Sequence, residues 1–289
     1  MSMPELTKPS EPCRATPLSL AIEHVLARID ETRVGEIPFW HCFVERVLPD
    51  WLYDDLRALM LEKKYGSQTQ ERRQDSALFV NTRFNLVGSE DEAVVLFRAI
   101  FEDERVKERL FALFYVDPQT VANACVIHKE FEFFFTKADR FQNIHVDIPP
   151  KCLSFVFYLP ETEVDPEMAQ RNATVLYDEE LEPHYRASFK PNSVCVFAPH
   201  FSSYHGFSST IDRDVLVMFY VDNELMQEWR EVRRTTGDVS PFDGVRDAIH
   251  RKLTLYPQKA FPTVAALEDQ RRACLVNAPD GRVMRAGAD

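Results

Sequence analysis

Residues 145–159 read HVDIPPKCLSFVFYL, and this stretch opens with a histidine and an aspartate two positions apart. Because strand side chains alternate between two faces, His145 and Asp147 point the same way on an extended segment and can bind one ion together. His205 follows about sixty residues later. Two histidines and one carboxylate form the facial set that leaves open positions on non-haem Fe(II). The sequence therefore predicts His145, Asp147 and His205 as metal ligands.

A second requirement comes from Arg213, eight residues after His205. The segment 211–220 has the pattern of a strand, on which Arg213 shares a face with Val215, Val217 and Phe219. A charged group on an apolar face is costly to bury unless an anion pairs with it. A candidate for that anion is the distal carboxylate of 2-oxoglutarate.

The rest of the opening stretch alternates in the same manner. One face of the predicted strand is apolar and suited to packing under helices; it carries Leu153, Phe155, Phe157 and Leu159. The other face carries Ser154, Val156 and Tyr158. This second face is the one that we expect to line a pocket.

These motifs, in this order and spacing, resemble the Fe(II)/2-oxoglutarate-dependent oxygenase superfamily, and most closely its prolyl-hydroxylase-like branch. The resemblance covers about residues 120–222. It is carried by the stretch above, by Pro191-Asn192-Ser193, by Tyr204-His205-Gly206 and by Arg213.

The resemblance implies that His145, Asp147 and His205 hold Fe(II) and that Arg213 binds 2-oxoglutarate. Tyr158 matches a family position that often donates a hydrogen bond to the same carboxylate. The implied chemistry uses O2, converts 2-oxoglutarate to succinate and CO2, and hydroxylates a substrate, with ascorbate as the reductant in vitro. The same initial steps can also lead to desaturation or ring closure, and the resemblance does not distinguish these outcomes from hydroxylation.

Two alternatives concern the ligands. His200 is a rival third ligand, but His205 has the His-Gly context and the interval to Arg213 that fit the family. Related halogenases carry a small residue in place of the carboxylate, so the presence of Asp147 disfavours halogenation.

The substrate is the least determined feature. Arg83 and Asn85 share strand parity, and Arg140 and Asn143 precede the ligands. These four are the candidate substrate-binding residues, since a guanidinium can hold a carboxylate through two hydrogen bonds.

The family's usual Gly-Gly before the strand in the middle of the domain is replaced by 171–173, which read RNA. This replacement argues against a peptide groove. We therefore expect a small-molecule substrate, an amino acid or a biosynthetic intermediate that is free or bound to a carrier protein. The alternatives are hydroxylation of a protein side chain, and a non-redox cupin-like isomerase or metal-binding module.

Composition limits the partners. The 289 residues include 46 acidic and 34 basic side chains, for a net charge of −12. Neutralising phosphates needs a basic face, so nucleic acid is not an expected partner. No apolar run reaches the roughly 18 to 20 residues of a membrane span, and the start is polar without a hydrophobic signal region, so we expect no membrane partner and a cytoplasmic protein.

The predicted fold class is α+β, mainly β, with a double-stranded β-helix (jelly roll) core, because short strands follow one another with little helix between them. We expect a disordered segment 1–17, an oxygenase domain 18–222 with its core at about 120–222, and a helical extension 223–289 that forms a homodimer contact. Within the domain we predict helices at 18–33, 49–64 and 90–114, a polar loop at 66–76, and strands at 38–47, 79–87, 121–136, 141–148, 153–159, 173–177, 194–198 and 211–220.

Overall fold

The computed structural model describes residues 15–66, 71–74, 80–114, 125–127, 131–147, 150–199, 203–223, 226–227, 230–231, 275–277 and 283–285. The predictions for residues 1–14, and for most of the extension 223–289, lie outside this part of the chain. Every helix in the described part is too short or too polar to cross a lipid bilayer.

Five helices have defined bounds. They are α1 (Pro17–Asp30), α2 (Asp50–Tyr65), α3 (Glu92–Glu102), α4 (Glu104–Phe114) and the short α5 (Pro166–Arg171). Helix α1 begins after Thr16, whose hydroxyl accepts a hydrogen bond from the amide of Ser19 at 3.2 Å. Pro17 is the first residue of the helix, a position where a backbone N–H would have no partner within the helix.

The strands before the predicted ligands are β1 (His41–Glu45), β2 (Glu71–Gln74), β3 (Val80–Asn85), β4 (Cys125–Ile127) and β5 (Glu132–Thr136). Those that follow are β6 (Arg140–His145), β7 (Lys151–Tyr158), β8 (Thr174–Tyr177), β9 (Pro183–Ala187), β10 (Ser193–Phe197), β11 (His205–Ser209) and β12 (Arg213–Asp222). Two short strands, β13 (Leu275–Asn277) and β14 (Val283–Arg285), pair with each other.

The main strands form two antiparallel sheets. In the larger sheet the order is β1-β10-β7-β12-β5-β3-β2, and β4 also pairs with β12; in the smaller sheet it is β6-β11-β8-β9. The helices α1 to α4 pack against one face of the larger sheet in a single apolar core. The other face meets the smaller sheet through a second apolar cluster, to which Tyr158 and Val215 contribute from one sheet and Leu176 from the other. The fold is therefore α+β, with a helical layer and two sheets.

The alternation of β7 and β12 agrees with the prediction. Phe155 and Phe157 lie in the core under the helices, whereas Tyr158 lies in the cluster between the sheets. Arg213 and Val215 face the space between the sheets, and Leu216 faces the helices. Strands β7 and β12 therefore each contribute side chains to the core under the helices and to the space between the sheets.

Several predicted bounds are wrong. The helix expected at 90–114 is two helices, because Asp103 has an extended backbone and its carboxylate accepts the amide of Arg105 at 3.0 Å, which begins a new helix. Part of the loop expected at 66–76 is strand β2. Of the long strand expected at 121–136, the described residues include β4 and β5, which both pair with β12, and residues 121–124 and 128–130 lie outside the described part. Helix α5 and strand β9 were not predicted. The extension 223–289, expected to be helical, contains strands β13 and β14.

Candidate active site

The three predicted ligands meet at one edge of the smaller sheet. His205 on β11 is the direct register partner of His145 on β6, so both side chains lie on the same face, with ring centroids 4.2 Å apart. Asp147 follows two residues after His145. One ligand atom from each of the three residues lies within 4.8 Å of the other two. This spacing fits a single metal ion, although their role as ligands stays a prediction.

His205 is oriented for this role. Its Nδ1–H donates to the carbonyl of Ser203 at 2.9 Å, which leaves the lone pair of Nε2 for an ion. Burial, followed by the nearby His145, lowers the pKa of His205 to about 3. The imidazole is therefore neutral at physiological pH, which is the form that binds metals.

Asp147 is held on both oxygens. The ammonium of Lys151 lies 2.7 Å from Oδ1, and the hydroxyl of Ser154 donates to Oδ2 at 2.5 Å. Burial alone would raise the pKa of Asp147, but Lys151 and the two histidines outweigh burial and lower it well below its usual range. The carboxylate is therefore charged, as a metal ligand must be.

Lys151 and Ser154 were not assigned roles from the sequence. Ser154 had a detectable signal, because alternation on β7 places it on the pocket face. Lys151 had no such signal, because a spacing of four residues predicts that two side chains meet only where both lie on a helix, and Asp147 and Lys151 do not. Its ammonium also lies 3.4 Å from the centroid of the Phe219 ring, on the neighbouring strand β12.

Arg213 is buried at the other end of the site, with an exposed fraction of 2%. Its Nη2 donates to the hydroxyl of Thr174 at 2.7 Å, and its Nε donates to the carbonyl of Asn172 at 3.3 Å. The ring of Phe207 lies 3.9 Å from the guanidinium carbon. The buried hydroxyl of Tyr158 donates to the same Thr174 oxygen at 2.6 Å. Arg213 and Tyr158 are thus neighbours, and their binding of a cosubstrate stays a prediction.

Asn172 explains part of this arrangement. It is fully buried, and its side-chain oxygen accepts hydrogen bonds from the hydroxyl of Ser209 at 2.9 Å and from the amide of Thr210 at 2.6 Å. These bonds join α5 to the connection between β11 and β12, directly before Arg213. No local pattern indicates this role, because the partners lie 37 and 38 residues away along the chain.

A cavity of about 230 Å³ connects the two ends of the site. The three predicted ligands and Arg213 all line it. Its apolar walls come mainly from the larger sheet and include Phe134, Val156, Phe197, Val215 and Phe219.

The candidate substrate residues have different positions. Arg83 lines the cavity, whereas Asn85 and Arg140 do not. Asn85 is exposed, and its side-chain oxygen accepts the amide of Val87 at 2.7 Å within a turn. Arg140 is half-buried at the start of β6. The side chain of Asn143 and the whole of His200 lie outside the described residues.

Comparisons with known proteins agree with this architecture. No protein-family model and no curated protein matches the sequence. A prolyl-4-hydroxylase from Pseudomonas putida has a similar structure over 69% of this chain and 99% of its own, with a TM-score of 0.51 and 13% identity. A prolyl hydroxylase from Trichoplax adhaerens, solved with a peptide of hypoxia inducible factor, covers 70% of this chain and 90% of its own (TM-score 0.48, 12% identity). The 2-oxoglutarate-dependent epimerase SnoN of nogalamycin biosynthesis covers 70% and 82% (TM-score 0.48, 12% identity).

The chain therefore has the fold of the 2-oxoglutarate/Fe(II) oxygenases. Among them, its fold is similar to that of the prolyl hydroxylases, and the resemblance stated from the sequence is confirmed at the level of the fold.

Proposed function

We propose that this protein is an Fe(II)- and 2-oxoglutarate-dependent oxygenase that hydroxylates a small molecule, with succinate and CO2 as coproducts. The observation that carries the proposal is the shared cavity. At one end stand two imidazoles and a carboxylate within 4.8 Å of one another, and at the other stands the buried guanidinium of Arg213. We further interpret the two facing sheets as a double-stranded β-helix.

The donor set fits Fe(II), since two imidazoles and one carboxylate leave coordination positions for further ligands. Bound iron would supply the activation of O2, coupled to the decarboxylation of 2-oxoglutarate. The protein's own groups have separate tasks. His145, Asp147 and His205 hold the ion, and Ser154 fixes the rotamer of Asp147. Arg213 binds the distal carboxylate of the cosubstrate.

The surroundings of Arg213 support this last assignment. A guanidinium that is 2% exposed would be costly to bury without an anion. Its partners among the described residues are a hydroxyl and a carbonyl, which satisfy N–H donors but carry no charge. A carboxylate arriving from the cavity would supply the missing charge. Tyr158, beside it, would donate a second hydrogen bond after turning from Thr174.

The cavity limits the size of the group that can react. At about 230 Å³ it is smaller than the roughly 300 to 1,000 Å³ that drug-sized ligands occupy, and the cosubstrate must share it. The replacement of the family's Gly-Gly by residues 171–173 favours a small molecule over a peptide.

The test is turnover of the cosubstrate. Purified protein with Fe(II), ascorbate, O2 and 2-oxoglutarate should form succinate slowly without any other substrate, and His205→Ala should abolish this reaction. A metal-binding module or a non-redox isomerase would form none. Mass spectrometry of small-molecule products then separates hydroxylation, which adds one oxygen, from desaturation or ring closure, which remove two hydrogens.

A further inference from the structure

The helix layer contains a groove that is separate from the candidate active site. It lies between α2, the start of α1 and the start of α3, and its volume is about 720 Å³. None of the described residues that line it also lines the active-site cavity. Because the helices and the cavity lie on opposite faces of the larger sheet, a molecule can bind in the groove without entering the cavity.

The floor of the groove is apolar and partly exposed. Leu52 and Leu59 are buried in the helix layer, whereas Leu20 is 57% exposed and Trp51 is 43% exposed. Single exposed apolar side chains are common on protein surfaces, but several in one concave surface mark a place where another molecule binds. Tryptophan is enriched among the residues that contribute most to such interfaces. Trp51 is therefore the expected anchor of a ligand.

The charged side chains of the groove have one sign. Among the described residues that line it, four are acidic and none is basic; the four are Asp55, Glu62, Asp91 and Glu92. The ammonium of Lys63 lies 3.0 Å from a carboxylate oxygen of Glu62 and 3.9 Å from one of Asp91. Asp55 and Glu92 are exposed, and within the described part of the chain neither forms an ion pair. A ligand with apolar side chains and adjacent positive charges complements this surface.

The walls of the groove determine which backbone conformation suits that ligand. They are helices, whose interior N–H and C=O groups bond to one another, so they present no strand edge to an extended peptide. A helix satisfies its own backbone and presents side chains alone, as in other helix-in-groove complexes. On α2 the lining positions 51, 55, 58 and 62 follow helical spacing and span roughly 16 Å. The groove is therefore long enough for about three turns of a second helix.

We propose that this groove binds a basic amphipathic helix of a partner protein. Apolar residues of the partner, spaced at i, i+3 or i+4 and i+7, insert between the three helices and contact Leu20 and Trp51. Lysine or arginine residues beside this apolar stripe pair with Asp55 and Glu92. The interaction is independent of the proposed oxygenase activity, and its test needs neither iron nor 2-oxoglutarate.

The test uses three labelled synthetic peptides of about 14 residues, roughly four helical turns. The first has leucines at helical spacing along one face and lysines beside them. The second has glutamate in place of every lysine. The third has the composition of the first, but its leucines lie on all sides of the helix. Binding of each peptide to the full chain is titrated by fluorescence anisotropy, at low and at high salt.

The lysine peptide should bind with a dissociation constant of about 100 μM or lower, and at least about 10-fold more tightly than either of the other two. The difference between the lysine and glutamate peptides should shrink at high salt, because exposed charges are screened. The difference between the first and third peptides should remain, since it depends on the burial of apolar surface.

A pair of charge variants locates the lysines of the peptide. Asp55→Asn combined with Glu92→Gln should reduce the preference for lysine over glutamate at least about 3-fold, because two ion pairs are lost. The matched control combines Glu179→Gln with Glu180→Gln, in the exposed turn between β8 and β9. It changes the net charge equally and should keep the preference.

A second pair of variants locates the leucines. Trp51→Ala should weaken binding of the lysine peptide at least about 10-fold, because the anchor of the groove is removed. Met168→Ala removes an apolar side chain of α5 that is 37% exposed outside the groove, and it should bind the peptide as the wild type does.

The proposal is overturned if the lysine peptide does not bind, if either of the other peptides binds as tightly, or if the charge variant or Trp51→Ala binds as the wild type does. Two segments of this chain are the rival occupants. Residues 1–14 precede α1, and residues 248–267 include three lysine or arginine residues and no acidic one. Synthetic peptides of these segments should not displace the lysine peptide; displacement by either would assign the groove to the chain itself and overturn the proposal.

Discussion

The two faces of the larger sheet use the same strands for different purposes. Towards the helices, β7 and β12 present large apolar side chains, such as Phe157 and Leu216, in a continuous core. Towards the smaller sheet, the alternate residues include Ser154 and Arg213, which line the cavity. Because side chains alternate strictly along a strand, the apolar core that stabilises the fold lies on one side of the sheet and the polar site lies on the other.

Two adjacent charges show the contrast most directly. Arg213 faces the cavity, and Asp214 faces the helix layer, where its carboxylate accepts the ammonium of Lys64 on α2 at 2.8 Å. Both side chains are buried. Asp214 has its counter-charge in Lys64, whereas the hydrogen-bond partners of Arg213 among the described residues are neutral and its side chain lines the cavity. A buried charge whose partner is part of the fold contributes to structure, and one that faces a cavity is prepared for a ligand.

The largest expected effect on stability lies on the helix face. Phe157→Ala should lower the free energy of unfolding by about 3 to 5 kcal/mol, because it leaves a void in a close-packed core. The ring lies 5.0 Å from that of Phe97 and 5.4 Å from that of Phe101, between centroids. Denaturant unfolding measures the loss. Phe219→Ala on the cavity face should cost clearly less, since the space it leaves joins the existing cavity; equal losses would show that the faces do not differ.

Next in size is the effect of Arg213→Ala on the cosubstrate. The dissociation constant of this variant for 2-oxoglutarate should be at least about 100-fold higher than that of the wild type, because the desolvated carboxylate of 2-oxoglutarate loses its ion pair with the guanidinium. Titration with Fe(II) and without O2 measures it. Arg213→Lys should recover part of the affinity. If Arg213→Ala binds 2-oxoglutarate normally, the guanidinium is structural and the contrast with Asp214 disappears.

A smaller effect is expected from Ser154→Ala, which removes the 2.5 Å hydrogen bond to Asp147 without changing any charge. Loss of a group that orients a metal ligand costs about 10- to 100-fold in metal affinity. Mn(II) binding measures it. Ser193→Ala on the adjacent strand β10 is the control, since that hydroxyl donates to the carbonyl of Lys190. The role of Ser154 is refuted if both variants bind the metal as the wild type does.

The smallest effect is the pH dependence that Asp214 confers. Burial raises its pKa to about 6, against the lowering by Lys64. The folded state therefore holds the proton more tightly than the unfolded one, so the stability from this group is present below pH 4 and is lost as pH rises through 6. The slope is at most about 1.4 kcal/mol per pH unit. The free energy of unfolding of Asp214→Asn, measured between pH 4 and 7, should not show this slope. A profile equal to that of the wild type would contradict the raised pKa of Asp214.

Local pattern was sufficient for much of the fold. The alternation in 153–159 and 211–220 predicted which side chains of β7 and β12 face the helices, and both faces agree with the structure. The same pattern missed the break at Asp103, because the apolar spacing continues across it and the cap that starts α4 is a single hydrogen bond. It missed β9 because an edge strand with exposed side chains has no apolar face to reveal it.

The residue types of the candidate site could be predicted from local sequence patterns. His145, Asp147, His205 and Arg213 are residue types with few other reasons to occupy those strand positions, and alternation, a local property, sets their direction. The side chains that surround them could not be predicted in this way, because they come from other strands of the folded chain. Lys151 and Ser154 on Asp147, Asn172 behind Arg213, and Glu132 beside Arg83 are contacts between segments whose register depends on the packing of the whole sheet. Periodicity tells which way a side chain points, but the strand that it meets is set by how the complete chain buries its apolar surface.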